Sequence, residues 1–184
     1  MQALHNSALR SRATGAGRQV SPASFPTRFG RCVVLTLALA ILGIPAVEAA
    51  SVAVVVHPSV EIDDLTFAEF RKIIVGERQF WTTGQRVTLI VRAAEAEERT
   101  VLLERVYKMS EAQYRQYWVA KVFRAEAVSG PRVVLSNEEA VDLVGVIEGA
   151  IAIVNSDDVP EGLKVLTING LSPGEADYPL NISD

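Results

Sequence analysis

Few side chains here have the types and spacing that chemistry requires. His5 and His57 are the only histidines and Cys32 the only cysteine, so a site built from imidazole and thiolate ligands is not available. His57 ends a β-branched run, where ligand loops of open α/β sheets lie, but no second histidine or cysteine follows to share a metal or serve as nucleophile. Asp63-Asp64 and Asp157-Asp158 are carboxylate pairs able to attract a cation. They lack EF-hand spacing, and acid pairs beside a helix or turn ordinarily serve as solvated surface or dipole partners. There is no Gly-rich phosphate loop and no Gly-x-Ser-x-Gly elbow. The expectation is a non-enzymatic protein with no metal and no cofactor.

The start of the chain speaks of location. Residues 1–31 carry Arg10, Arg12, Arg18, Arg28 and Arg31 and no acid, and lead into an apolar run from Cys32 to Ile44 that Pro45 breaks. This is a charged region followed by a short hydrophobic one, below the roughly 20 apolar residues of a membrane span. Val47-Glu48-Ala49 places small residues where a signal peptidase reads, so residues 1–49 are expected to be a signal peptide and 50–184 the mature domain, periplasmic or secreted, with no stable membrane insertion. That domain holds 21 acidic and 13 basic residues and no cysteine. An acidic surface is a poor match for nucleic acid or anionic membranes, and stability must come from the core.

The elements that position these residues alternate. Strands are expected at Ser51–Val56, Arg86–Val91, Arg132–Leu135, Ala150–Val154 and Leu163–Ile168. Thr66 with Glu69, Ser110 with Gln113 and Ser136 with Glu139 each form a capping-box pair opening a helix, with Leu65/Phe70 and Met109/Tyr114 as hydrophobic staples and Gly76 and Gly149 as stops. A further helix is expected over Ala93–Lys108, with Val101, Leu102 and Val106 inside. Tyr114, Tyr117, Trp118 and Val122 form a stripe that reads as core packing. The fold class is α/β, with helices on both faces of a mixed, mostly parallel sheet.

Leu65-Thr66-x-x-Glu69-Phe70-x-x-Ile73-x-x-Gly76, then Phe80-Trp81-x-x-Gly84, Gly149-Ala150-Ile151 and Leu163-Lys164-Val165-Leu166-x-Ile168-Asn169-Gly170 occur in an order that resembles phosphate-type substrate-binding proteins of ABC transporters. The chain is similar to one lobe of their two-lobed fold, a single lobe of a periplasmic-binding-protein-like domain. The resemblance implies an anion held at a Gly-Ser-bearing turn beside a helix start, and it implies ligand contacts at Ser59, Arg92 and Thr100. The corresponding segment here is Arg92-Ala93-Ala94-Glu95-Ala96-Glu97-Glu98-Arg99-Thr100. Ala96 replaces the serine, and three carboxylates occupy the turn, satisfying the helix dipole from within and repelling phosphate. The expected function is a non-enzymatic, extracytoplasmic solute-binding-like domain with a degenerate oxyanion site. Its implied partners are a small oxyanion or other small solute, and an envelope transport protein or a second lobe supplied by dimerisation. The alternative is a ligand-free accessory module of an envelope complex.

Overall fold

A computed structural model describes residues 51–182; the expected signal peptide lies outside the described residues. Six strands form one sheet in the order β2-β6-β1-β5-β3-β4. They are β1 (Val52–Val56), β2 (Asp64–Leu65), β3 (Thr88–Arg92), β4 (Arg132–Val134), β5 (Ala150–Asn155) and β6 (Lys164–Ile168). β1 runs antiparallel to both neighbours, β5 and β6, and the other three pairings are parallel.

The alternation of side chains along β1 and β5 splits the interior in two. Val52, Val54, Val56, Ile151 and Ile153 face one layer, with Phe70, Ile73, Val106, Tyr107, Tyr114 and Trp118. Ala53, Val55, Ala150, Ala152 and Val154 face the other, against Ala140 and Val144. The first layer comes from α1 (Phe67–Ile74), α2 (Glu97–Val101) with the π-helical turn Leu102–Tyr107 that continues it, and α3 (Glu111–Phe123). The second comes from α4 (Asn137–Val146), and the small side chains beneath it let one helix cover that face closely. Helices therefore lie on both faces, as the pattern of segments requires.

The local signals act as physics dictates, with some departures. The Thr66–Glu69 and Ser110–Gln113 capping boxes are complete, each cap side chain accepting the N3 amide while the N3 side chain accepts the cap amide. At Ser136 only half the box forms: its hydroxyl accepts the Glu139 amide, but the Glu139 carboxylate turns to the Leu135 amide at 2.9 Å. β3 begins at Thr88 instead of Arg86. Phe80 and Arg86 bridge, and the Val87 amide goes to Gln79 O, so residues 80–87 close their own loop first.

The helix expected over Ala93–Lys108 starts four residues late. The Ala93 amide extends the sheet ladder to Val134 O, and the Ala96 amide closes a turn on Ala93 O. Its second half is π-helical, with the Lys108 amide reaching back five residues to Leu103 O. Two side-chain bonds to this region, Tyr107 Oη to Ile74 O at 2.6 Å and Arg71 Nε to Val106 O at 3.0 Å, hold it against α1. In α3 the expected stripe is buried at Tyr114 and Trp118, but Val122 is exposed, because the helix outruns the layer it covers. β2, two residues long, has no sequence pattern to announce it; its register on β6 is fixed by the Asp64 carboxylate, which accepts from Thr167 Oγ1 and the Gly170 amide.

Candidate functional site

The C-terminal ends of β3 and β4 and the starts of α2 and α4 meet at one place. Arg92 is the last residue of β3, and its guanidinium is nearly enclosed. Glu98, in the first turn of α2, does not face water as a helix-start carboxylate ordinarily would. It is 5 % exposed and turns inward, with Oε2 3.6 Å from Arg92 Nε. Its Oε1 accepts from Asn137 Nδ2 at 2.7 Å, and the same amide reaches Asp158 Oδ2 at 2.7 Å. Arg92 Nε and Nη1 and Asn137 Oδ1 are buried with no hydrogen-bond partner among the described residues. Buried donors on a charged group are ordinarily satisfied; here the Glu98 carboxylate stands 3.6 Å from Arg92 Nε, an ion pair without a hydrogen bond.

Arg99, next to Glu98, anchors the same turn from the other side. Its Nε and Nη2 donate to the two carboxylate oxygens of Glu111 at 3.0 Å each, and its guanidinium lies 3.7 Å from the centre of the Tyr114 ring. This fork ties α2 to α3 and fixes which way Glu98 points. Glu95 and Glu97 remain exposed, so of the three acids in the turn Glu98 alone enters the interior. The α2 N-cap is Ala96, which has no side chain to cap the helix.

A cavity of about 550 Å3 opens beside Arg92, lined also by Ser136, Asn137, Glu138, Asp142 and Asp158. One guanidinium faces three carboxylates there, a balance unfavourable to a further anion. Among the described residues no group of three or more His, Cys, Asp or Glu side chains is placed to hold a metal ion.

The three residues expected to contact ligand do not share one site. Val56 of β1 and Leu89 of β3 both pair with Ile151, so the loop after β1 emerges where β3 begins, while Arg92 ends β3 on the opposite edge. Ser59 follows β1 there; its Oγ lies 2.7 Å from His57 Nδ1 and donates to Gln85 Oε1 at 3.2 Å, just ahead of β3. The antiparallel setting of β1 causes the separation. Thr100 is exposed on α2, and its hydroxyl donates back to Ala96 O at 3.4 Å, within its own helix. Arg92 alone of the three is at the enclosed cluster. Asn137 is its unforeseen member, and Asp158, named in sequence only as half of an acid pair, joins it through the Asn137 amide. A Ser-Asn pair at a helix start reads as capping in sequence, and only the parallel pairing of β3 with β4 brings Asn137 to Glu98.

The fold, a mixed, mostly parallel sheet with helices on both faces, is the periplasmic-binding-protein-like fold as a single lobe. Solved structures of that fold match the chain. An ABC-type phosphate transport receptor from Vibrio cholerae superposes with a TM-score of 0.53 at 17 % identity, over 68 % of this chain and 49 % of that one. PstS from Borrelia burgdorferi gives 0.52 at 17 % identity, over 67 % and 49 %. A Clostridium perfringens protein provisionally assigned as a phosphate ABC transporter substrate-binding protein, and solved with bound phosphate, gives 0.54 at 17 %, over 68 % and 48 %. The chain thus spans about half the length of the structures it matches. No protein-family model matches the sequence, nor does any curated protein.

Proposed function

We propose that this chain is a non-enzymatic, extracytoplasmic solute-binding-like lobe whose oxyanion position is filled by its own Glu98 carboxylate. The reading is carried by one observation: a buried glutamate held between Arg92 and Asn137 at the junction of β3, β4, α2 and α4. A carboxylate there presents two oxygens to the groups that would otherwise receive a free anion, and the acids around the neighbouring cavity oppose a second negative charge. Phosphate binding by the unaltered chain is therefore weak or absent. The Arg-rich leader and Val47-Glu48-Ala49 support the extracytoplasmic placement.

The test removes the internal carboxylate. Glu98→Thr leaves Arg92 buried without its counter-charge, so the variant should lose stability, and inorganic phosphate should restore it while giving no thermal shift in the unaltered chain. Glu98→Gln, which keeps the shape and the Asn137 contact, serves if the threonine variant does not fold. Micromolar phosphate binding by the unaltered protein, or no gain of phosphate response in either variant, refutes the proposal.

A second reading, an accessory module of an envelope complex that binds no solute, is favoured by one other observation. Phe123 at the end of α3 is 88 % exposed and lies beside the exposed Val119 and Val122, an apolar surface that a free-standing domain has no reason to present. Loss of a transport or envelope phenotype on Phe123→Ser with Val119→Ser, but not on Glu98→Thr, would select it.

A further inference from the structure

A second cavity, of about 280 Å3, lies at the other edge of the sheet, where β3 and β4 begin. Ile73, Leu89 and Trp118 give it an apolar wall, and Arg78, Arg86 and Arg132 line it, without a single carboxylate. Residues 50–184 hold 21 acids and 13 bases, and the cavity beside Arg92 has three carboxylates to one arginine, so this concentration of positive charge runs against the rest of the domain. The arginines are also little used internally. Arg78 Nε donates to Phe80 O at 3.2 Å, whereas the Arg86 and Arg132 side chains form no hydrogen bond or ion pair among the described residues.

Three guanidiniums around one cavity repel one another unless an anion joins them. Planar, forked donors match a carboxylate, and they do so better beside a low-dielectric wall than in open water. An inorganic anion would leave the Ile73-Leu89-Trp118 wall uncovered, whereas an organic acid covers it with its carbon skeleton. The volume sits just below the ~300–1,000 Å3 of typical small-molecule sites, which limits the occupant to about one ring. We infer that this cavity is a binding site for a small planar organic carboxylate, separate from the Arg92 cluster and independent of whether that cluster ever held phosphate.

Benzoate is the probe, titrated into the full chain by calorimetry and by tryptophan fluorescence, with benzamide as its uncharged counterpart and inorganic phosphate as an anion without a ring. Benzoate should saturate the protein, and both comparison compounds should bind at least tenfold more weakly. Arg86→Gln with Arg132→Gln, both at exposed positions, should weaken benzoate at least tenfold while the circular dichroism spectrum stays that of the unaltered chain. Asp158→Asn, in the other cavity, should leave it within twofold. The inference is overturned by failure of benzoate to saturate the unaltered chain, by equal binding of benzamide or phosphate, or by a benzoate response that follows Asp158→Asn and ignores the arginine pair.

Discussion

Trp118→Ala should strip the helical layer of its central support. The indole is 8 % exposed, and its Nε1 donates to Tyr107 Oη at 3.2 Å, while that hydroxyl donates on to Ile74 O. Tyr114 and Tyr117 meet it edge-on, with centroids 6.4 and 5.7 Å away. Its far ring edge lies against Gly76 so closely that a Cβ there would stand 2.8 Å from Cη2. Truncation of a buried tryptophan costs about 3–5 kcal/mol. Two aromatic pairs account for ~0.5–1.5 kcal/mol each, and the remainder is apolar burial and the space left behind. Tyr107 keeps its carbonyl acceptor, so no orphaned hydroxyl adds to the loss. With a urea dependence of about 2 kcal/mol per molar, the unfolding midpoint of the full chain, followed by circular dichroism, should fall by roughly 1.5–2.5 M. Trp118→Phe retains most of the ring area and loses the N–H bond, and should cost about 1–2 kcal/mol. An unchanged midpoint in Trp118→Ala would refute the reasoning and make this stripe a surface.

Gly149→Ala should cost at least about 3 kcal/mol in the same assay, because φ is +72° and a Cβ would lie 2.4 Å from Arg86 O, whereas Gly162→Ala, at φ +87° with nothing within 4 Å, should cost only the left-handed penalty of about 1–2 kcal/mol. Equal midpoints for the two would contradict the steric argument. Thr167, Gly170 and Leu65 hold the Asp64 carboxyl below its ordinary 3.8, and the Thr66 hydroxyl and amide hold Glu69 below 4.5. Both contributions are complete above those ordinary values and vanish as pH falls through the lower folded ones, so stability should decline below about pH 4, less steeply in Asp64→Asn; identical acid profiles would remove Asp64 from the account. Mass spectrometry of the protein from its host should find a mature N-terminus near Ala50, and an intact Met1 would end the signal-peptide assignment.

What was legible in the sequence was whatever depends on near neighbours. Thr66, Ser110 and Ser136 cap helices because a cap is a three-residue affair, and the buried strands β1 and β5 announce themselves by unbroken apolar runs. Arg92 could be singled out because the resemblance implies a ligand contact there. The inward turn of Glu98 could not, since it depends on Arg99 being fixed by Glu111 and on Asn137 arriving at the start of α4. The parting of Ser59 from Arg92 was equally hidden, because a strand's direction within its sheet leaves no mark on its own residues. Nor does a helix with an extra residue per turn look different in sequence, as Leu102–Tyr107 illustrates.

β1 leaves a last consequence, in the order of events during folding. It is the first strand of the described residues to be synthesised, every one of its residues is buried, and it pairs with nothing near it: Val52 meets Asn155, and Val54 meets Leu166. The middle of the sheet therefore cannot close until more than a hundred further residues have left the ribosome. Such long-range pairing makes folding slow, on the millisecond-to-second side of small-domain rates. A nascent chain of this design stays open until its C-terminal strands appear, exposing the apolar face of β1 for the whole of that interval.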